Sequence, residues 1–120
     1  MNSSKRKGDK AELEVQGILR DLLGVPARRA LGAGRKDDVG DVTGVWEMVI
    51  QVANKPSDTL RAVREKPLEC ERQRLRAGVM FGATFVRFRG GGKTPDETAY
   101  PNWRVSLTVE QLAALYREAV

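Results

Sequence analysis

At 120 residues, with 41% hydrophobic and 31% charged, the chain can bury one modest core, is too short for two domains, and is not of disordered composition. Its net charge of +5 and pI near 9.7 favour a polyanionic partner, since each neutralised phosphate releases counterions. The absence of histidine excludes a histidine general base, a Ser-His-Asp triad and a His-rich zinc site, so any metal site must use oxygen ligands, which suits Mg2+ or Mn2+.

The first ten residues, MNSSKRKGDK, are basic but lead into no apolar stretch, so they do not read as a secretory signal. Residues 1–7 read instead as a flexible basic arm. From Asp9 to Leu23, Ala11, Val15, Ile18, Leu19 and Leu22 recur at helical spacing until Gly24 and Pro26 stop the pattern. ARRAL at 27–31 is a short strand candidate, followed by the loop GAGRKDD. Val39 to Val45 and Glu47 to Ala53 then read as two strands around a tight turn near Gly44.

Residues 55–78 read as helical with Ser57 or Asp58 as the cap. Pro67 lacks an N–H and disfavours the α conformation at Lys66, which predicts a kink or two short helices. The apolar run 78–88 predicts a buried internal strand. A glycine-rich loop follows, then a strand at 103–107. Thr108 with Gln111 forms a capping box for a last helix, whose apolar face is Val109, Leu112, Ala113, Leu115 and Tyr116. The order α-β-β-β-α-β-β-α gives one domain over 1–120, a mixed sheet flanked by helices, of the α/β or α+β class. No apolar run approaches the ~20 residues of a membrane span. The lone cysteine, Cys70, excludes an internal disulfide and suits a reducing cytoplasm.

The basic residues fall in clusters. Lys5, Arg6, Lys7 and Lys10 come first, then Arg28 and Arg29, then Arg35 and Lys36; Arg61, Arg64, Lys66, Arg72, Arg74 and Arg76 follow in one later segment. This distribution favours nucleic acid as the partner. A second feature is the hairpin GDVTGVWEMVIQVANK. Asp38 and Asp41 stand at the mouth of its first strand, and alternation by two puts Gln51, Ala53 and Lys55 on one face of the second, with Ile50, Val52 and Asn54 on the other. A carboxylate at a strand end, a carboxylate or amide on the paired strand and a nearby lysine can together bind Mg2+ and a phosphate. Taken alone, Glu12 reads as a solvated residue near the positive end of a helix dipole.

Other signals carry less. GGGKT at 90–94 lacks the first glycine of a P-loop, because Arg87 stands there. Cys70 has no base partner in its charged segment, and Trp46 and Trp103 read as packing or interface residues.

KRKGDKAELE followed by GDV and IQVAN resembles the archaeal-type Holliday junction resolvases and their phage-encoded relatives, in the PD-(D/E)xK nuclease superfamily. The K-G-x-x-x-E start is matched by Lys7, Gly8 and Glu12, the glycine-aspartate by Gly40 and Asp41, and the (E/D/Q)-x-K strand by Gln51, Val52 and Ala53. The likeness runs to about Gly91. It implies a restriction-endonuclease-like α/β fold, a mixed central sheet flanked by helices. It further implies a homodimer that nicks four-way DNA junctions with Mg2+, or Mn2+, held by Glu12, Asp41 and Gln51. Lys5, Arg6, Lys7, Lys10, Arg28, Arg29, Arg35 and Lys36 would bind phosphates, joined by Arg61 and Arg64; the setting would be cytoplasmic, that of the host for a phage protein.

Two departures stand out. Gln51 replaces the usual acid, and its amide oxygen can still ligate a metal. Ala53 replaces the lysine, and a methyl group neither donates a hydrogen bond nor carries charge. Three explanations stay open: a natural, weakened relative; Lys55 taking over from ~6–7 Å further along the strand; or deliberate replacement to trap a nuclease on its substrate. The alternative activity is junction binding without cleavage.

Overall fold

The computed structural model describes residues 3–30, 40–55, 58–88 and 103–120. The elements follow the expected order: α1 (Ser3–Leu23), β1 (Arg28–Arg29), β2 (Val42–Thr43), β3 (Met48–Ala53), α2 (Thr59–Ala77), β4 (Phe81–Arg87), β5 (Trp103–Ser106) and α3 (Val109–Ala119). They form an α/β structure with one five-stranded sheet in the order β1-β2-β3-β4-β5. Neighbouring strands are antiparallel except β3 and β4, which run parallel, with α2 as the crossover between them. That single parallel step makes the sheet mixed.

α1 covers one face. Its stripe of Ala11, Val15, Ile18 and Leu19 packs with Val42, Ile50, Ala83, Phe85 and Trp103 in the main core. α2 covers the other face, where Ala62, Cys70 and Gln73 are its buried residues. α3 is tied to that layer by Gln111, which accepts the N–H of Gly82 at 2.9 Å and donates to Glu71 at 2.9 Å. β4 is buried along nearly its whole length between β3 and β5, as its apolar run predicts.

Several local expectations differ from the structure. α1 begins at Ser3, so most of the segment read as a flexible arm has helical backbone. β2 is only two residues long, and the turn into β3 is four residues rather than tight, with Glu47 in the left-handed region at φ 54°. α2 is one helix that runs through Pro67 rather than two short ones. Packing explains this: Ala62 on one side of Pro67 and Cys70 and Gln73 on the other are all buried against the same sheet. That contact outweighs the one backbone hydrogen bond proline cannot make. Asp58, not Ser57, is the cap, its carboxylate accepting the N–H of Arg61 at 3.1 Å; Gly78 closes the helix in the left-handed conformation at φ 71°. Thr108 caps α3 through Gln111 as the sequence predicts.

No helix among the described residues is long and apolar enough to cross a membrane.

Candidate functional site

Asp41 lies where β2 gives out and β3 continues. Its N–H donates to the Ile50 carbonyl at 2.7 Å, and its carboxylate Oδ2 accepts the N–H of Val52 at 2.8 Å. The side chain thus stands in for the strand residue that a longer β2 would have supplied. Gly40 makes the approach feasible: at φ 92° it bridges to Ile50, and a Cβ there would fall 2.5 Å from the Ile50 carbonyl oxygen.

Glu12 comes to this place from α1. Its Oε1 accepts from Arg29 Nε at 3.0 Å, while Arg29 Nη2 reaches Asp9 at 2.8 Å and the Arg29 N–H donates to Gln16 Oε1 at 2.8 Å. Burial pushes the Glu12 carboxyl above its ordinary range, and the negative charges of Asp41 and Asp9 push the same way, against the opposing pull of Arg29. Asp41 thus acts on Glu12 through its charge, an influence smaller than burial or the Arg29 hydrogen bond.

The β3 residues divide between the two faces as the alternation predicts. Ile50 belongs to the α1-side core. Gln51 and Ala53 face α2. Gln51 donates its amide N–H to Gln73 Oε1 at 2.6 Å, with both side chains buried. Ala53, 1% exposed, packs with Ala62 and Val86 in a small core of its own. Lys55 is exposed and borders a polar hollow of about 500 Å3, whose walls also include Ala62, Lys66 and Glu69.

Of the three predicted ligands, Glu12 is paired with Arg29, Asp41 accepts the Val52 N–H, and Gln51 is turned toward α2 and engaged with Gln73. Among the described residues, no three acidic or cysteine side chains group as metal ligands.

The cations expected to meet phosphate fall into three sets. Lys10, Arg28 and Arg64 are exposed, as is Arg61, which pairs with Glu65 at 3.1 Å. Arg29 is partly buried and holds α1 to β1 through Asp9 and Glu12, a structural role that the sequence reading missed. Arg35, Lys36, Asp38 and the side chains of Lys5, Arg6 and Lys7 lie outside the described residues, as does the GGGKT segment.

Cys70 is buried, its thiol 3.8 Å from the Val49 carbonyl; burial raises its pKa, which suits an inert core residue. Trp103 is a core residue whose indole N–H reaches Glu14 at 2.9 Å, whereas Trp46 is 76% exposed in the turn. Gln73 had no signal in the sequence as a partner of Gln51. Only its place on the inward stripe of a helix, one turn beyond Cys70, hints at it.

Comparisons of the chain with protein-family models, curated proteins and solved structures return no match.

Proposed function

We propose that the chain is a structure-specific DNA-binding protein of the Holliday junction resolvase type, built on a restriction-endonuclease-like core, whose phosphodiester cleavage is weak. The observation that carries this reading is Asp41 at the β2–β3 seam, fixed by two hydrogen bonds to β3 and acting by its charge on the half-buried Glu12 of α1. Burial makes the Glu12 carboxylate costly and Arg29 offsets part of that cost; a bound cation would offset more. The weakness follows from Ala53, which offers no charge to a phosphate, and from Gln51, which is held by Gln73. The excess of basic residues, with Lys10, Arg28 and Arg64 exposed, supplies the attraction to a phosphate backbone. By the same reading two copies act together on one four-way junction.

The test is a salt series of binding to a synthetic four-way junction and to a duplex of equal length, with cleavage followed in Mg2+. The expected result is preference for the junction, affinity that falls steeply with salt, and slow nicking. Affinity that ignores salt would instead mark an adaptor for proteins.

The second reading, junction binding with no cleavage, is favoured by the complete burial of Ala53. Ala53→Lys separates the two: nicking that appears in this variant means the rest of the site is intact.

A further inference from the structure

α2 buries Ala62, Cys70 and Gln73 against the sheet, which turns the opposite side of the helix to solvent. On that side Arg61, Arg64, Leu68, Arg72 and Leu75 recur at spacings of three, four, four and three, with Arg76 beside them, and all are exposed. The helix carries six basic against three acidic side chains, and each acid is paired with a cation of the helix itself: Glu65 with Arg61, Glu69 with Lys66 and Glu71 with Arg74. Arg64 and Arg72 have no ion-pair partner among the described residues. The excess charge of α2 therefore stands on its outer face. An ordinary solvated face interleaves the two signs, whereas this stripe sets four arginines against the single carboxylate of Glu65. All four cations are arginine, whose planar fork matches phosphate oxygens two at a time.

The spacing of the stripe fits a duplex. Arg61 and Arg64 lie toward one end of it, Arg72 and Arg76 toward the other. Arg64 and Arg72 stand about 12 Å apart along the helix axis at ~1.5 Å per residue, about the width of the major groove of B-DNA. We infer that the outer face of α2 is a second DNA-binding surface, which takes a duplex by its backbone with one arginine pair on the phosphates of each lip of the groove. Leu68, 60% exposed between the two pairs, offers the groove no donor or acceptor, so this surface reads charge and shape rather than sequence. α1, which carries Lys10, covers the opposite face of the sheet, so a duplex seated on α2 is not the one that Lys10 meets. On the nuclease-type reading above, the duplex on α2 is a further arm of the same junction; duplex binding by α2 stands without that reading.

The experiment uses the full chain with a synthetic DNA duplex and a four-way junction, binding being measured over a salt series in EDTA. Arg64→Gln combined with Arg72→Gln is expected to weaken duplex binding by roughly tenfold and to lower the slope of log affinity against log salt by about 2, since each lost phosphate contact removes about 0.9. Arg64→Lys combined with Arg72→Lys should keep the slope, because an ammonium also serves a phosphate as a point charge. Arg117→Gln, on the exposed side of α3, should change affinity by less than about twofold, its charge being screened from the stripe. Should thermal melts show the glutamine double variant misfolded, Arg72→Gln alone decides, with a slope lower by about 1. The wild-type chain should also capture a labelled duplex on an immobilised one, and the double variant should not; absence of capture in the former, or its survival in the latter, overturns the placement of a second duplex on α2. Duplex affinity and salt slope unmoved in the double variant overturn the inference, whatever the junction shows, as does an equal loss in Arg117→Gln. Tighter binding to duplex RNA or to phosphatidylserine vesicles than to duplex DNA, lost in the same variant, overturns it in favour of that partner. A chain that neither prefers nor nicks the junction, yet loses duplex affinity in the double variant, overturns the nuclease-type reading and supports this inference. A chain that does not bind DNA overturns both.

Discussion

The carboxylate of Asp41 accepts the backbone N–H of Val52 at 2.8 Å while the Asp41 N–H donates to Ile50, so one residue closes two positions on the open edge of β3. This relationship gives Asp41 a structural task that is separable from any chemistry. Asp41→Asn retains an acceptor oxygen, whereas Asp41→Ala leaves the half-buried Val52 N–H unmatched. The alanine variant should lose about 1–3 kcal/mol of stability and the asparagine variant clearly less. Urea denaturation of the three proteins checks this, and equal losses would mean that the carboxylate does not brace the strand.

The Gln51–Gln73 pair sits between the sheet and α2 with both side chains buried. Removing one partner strands a desolvated amide, and removing both does not. Gln51→Leu and Gln73→Leu should each cost about 1–3 kcal/mol. The double variant should cost less than the sum of the two, by a coupling on the order of 1 kcal/mol in a double-mutant cycle. Strict additivity would show that the two amides do not interact in solution.

Ala53 has almost no room: it is 1% exposed between Ala62 and Val86. Ala53→Met, which adds volume without charge, should destabilise by about 1–3 kcal/mol through overpacking. Ala53→Lys should cost at least as much, because its ammonium must find a way out past Ala62 to the polar hollow. Lys55→Ala, at an exposed position, should stay within about 0.5 kcal/mol of the parent. Midpoints of chemical denaturation rank the three, and an undisturbed Ala53→Met would show that this small core is loosely packed.

The raised pKa of Glu12 sets a direction for stability against pH. Because the folded form holds the Glu12 proton more tightly than the unfolded chain, protonated Glu12 favours folding. That contribution is fully present below the unfolded carboxyl value and is lost as pH rises through the raised folded value. Glu12→Gln removes the titration. The stability of the parent relative to Glu12→Gln should therefore decline from about pH 4 upward and level off above the raised value. Thermal melts of both proteins from acid to neutral pH follow it; a difference that grows with pH would reverse the sign assigned to Glu12.

Cys70 should resist a thiol reagent in the native state, since its thiol is buried and its pKa raised, and react at once when the chain is unfolded in denaturant. Fast native reaction with an aromatic disulfide would place Cys70 on an opening part of α2.

The amino-acid sequence by itself determined the eight elements and their order, because each rests on short-range rules: the helical repeat of Ala11, Val15 and Ile18, the period-two pattern of β3, and the Thr108–Gln111 cap. It also determined that Gln51 and Ala53 share a face, since alternation needs no partner. It could not say which helix covers that face. Only the tertiary structure decided that α2 does, and with it that Gln51 meets Gln73 and Ala53 meets Ala62. The same holds for Arg29, which reads as a surface cation until α1 is docked beside it with Asp9 and Glu12. It holds for Pro67 as well, whose local preference to end a helix yields to burial of residues on both sides of it. Local spacing fixes what a segment is, whereas the balance of burial and charge across the sheet fixes what each side chain meets.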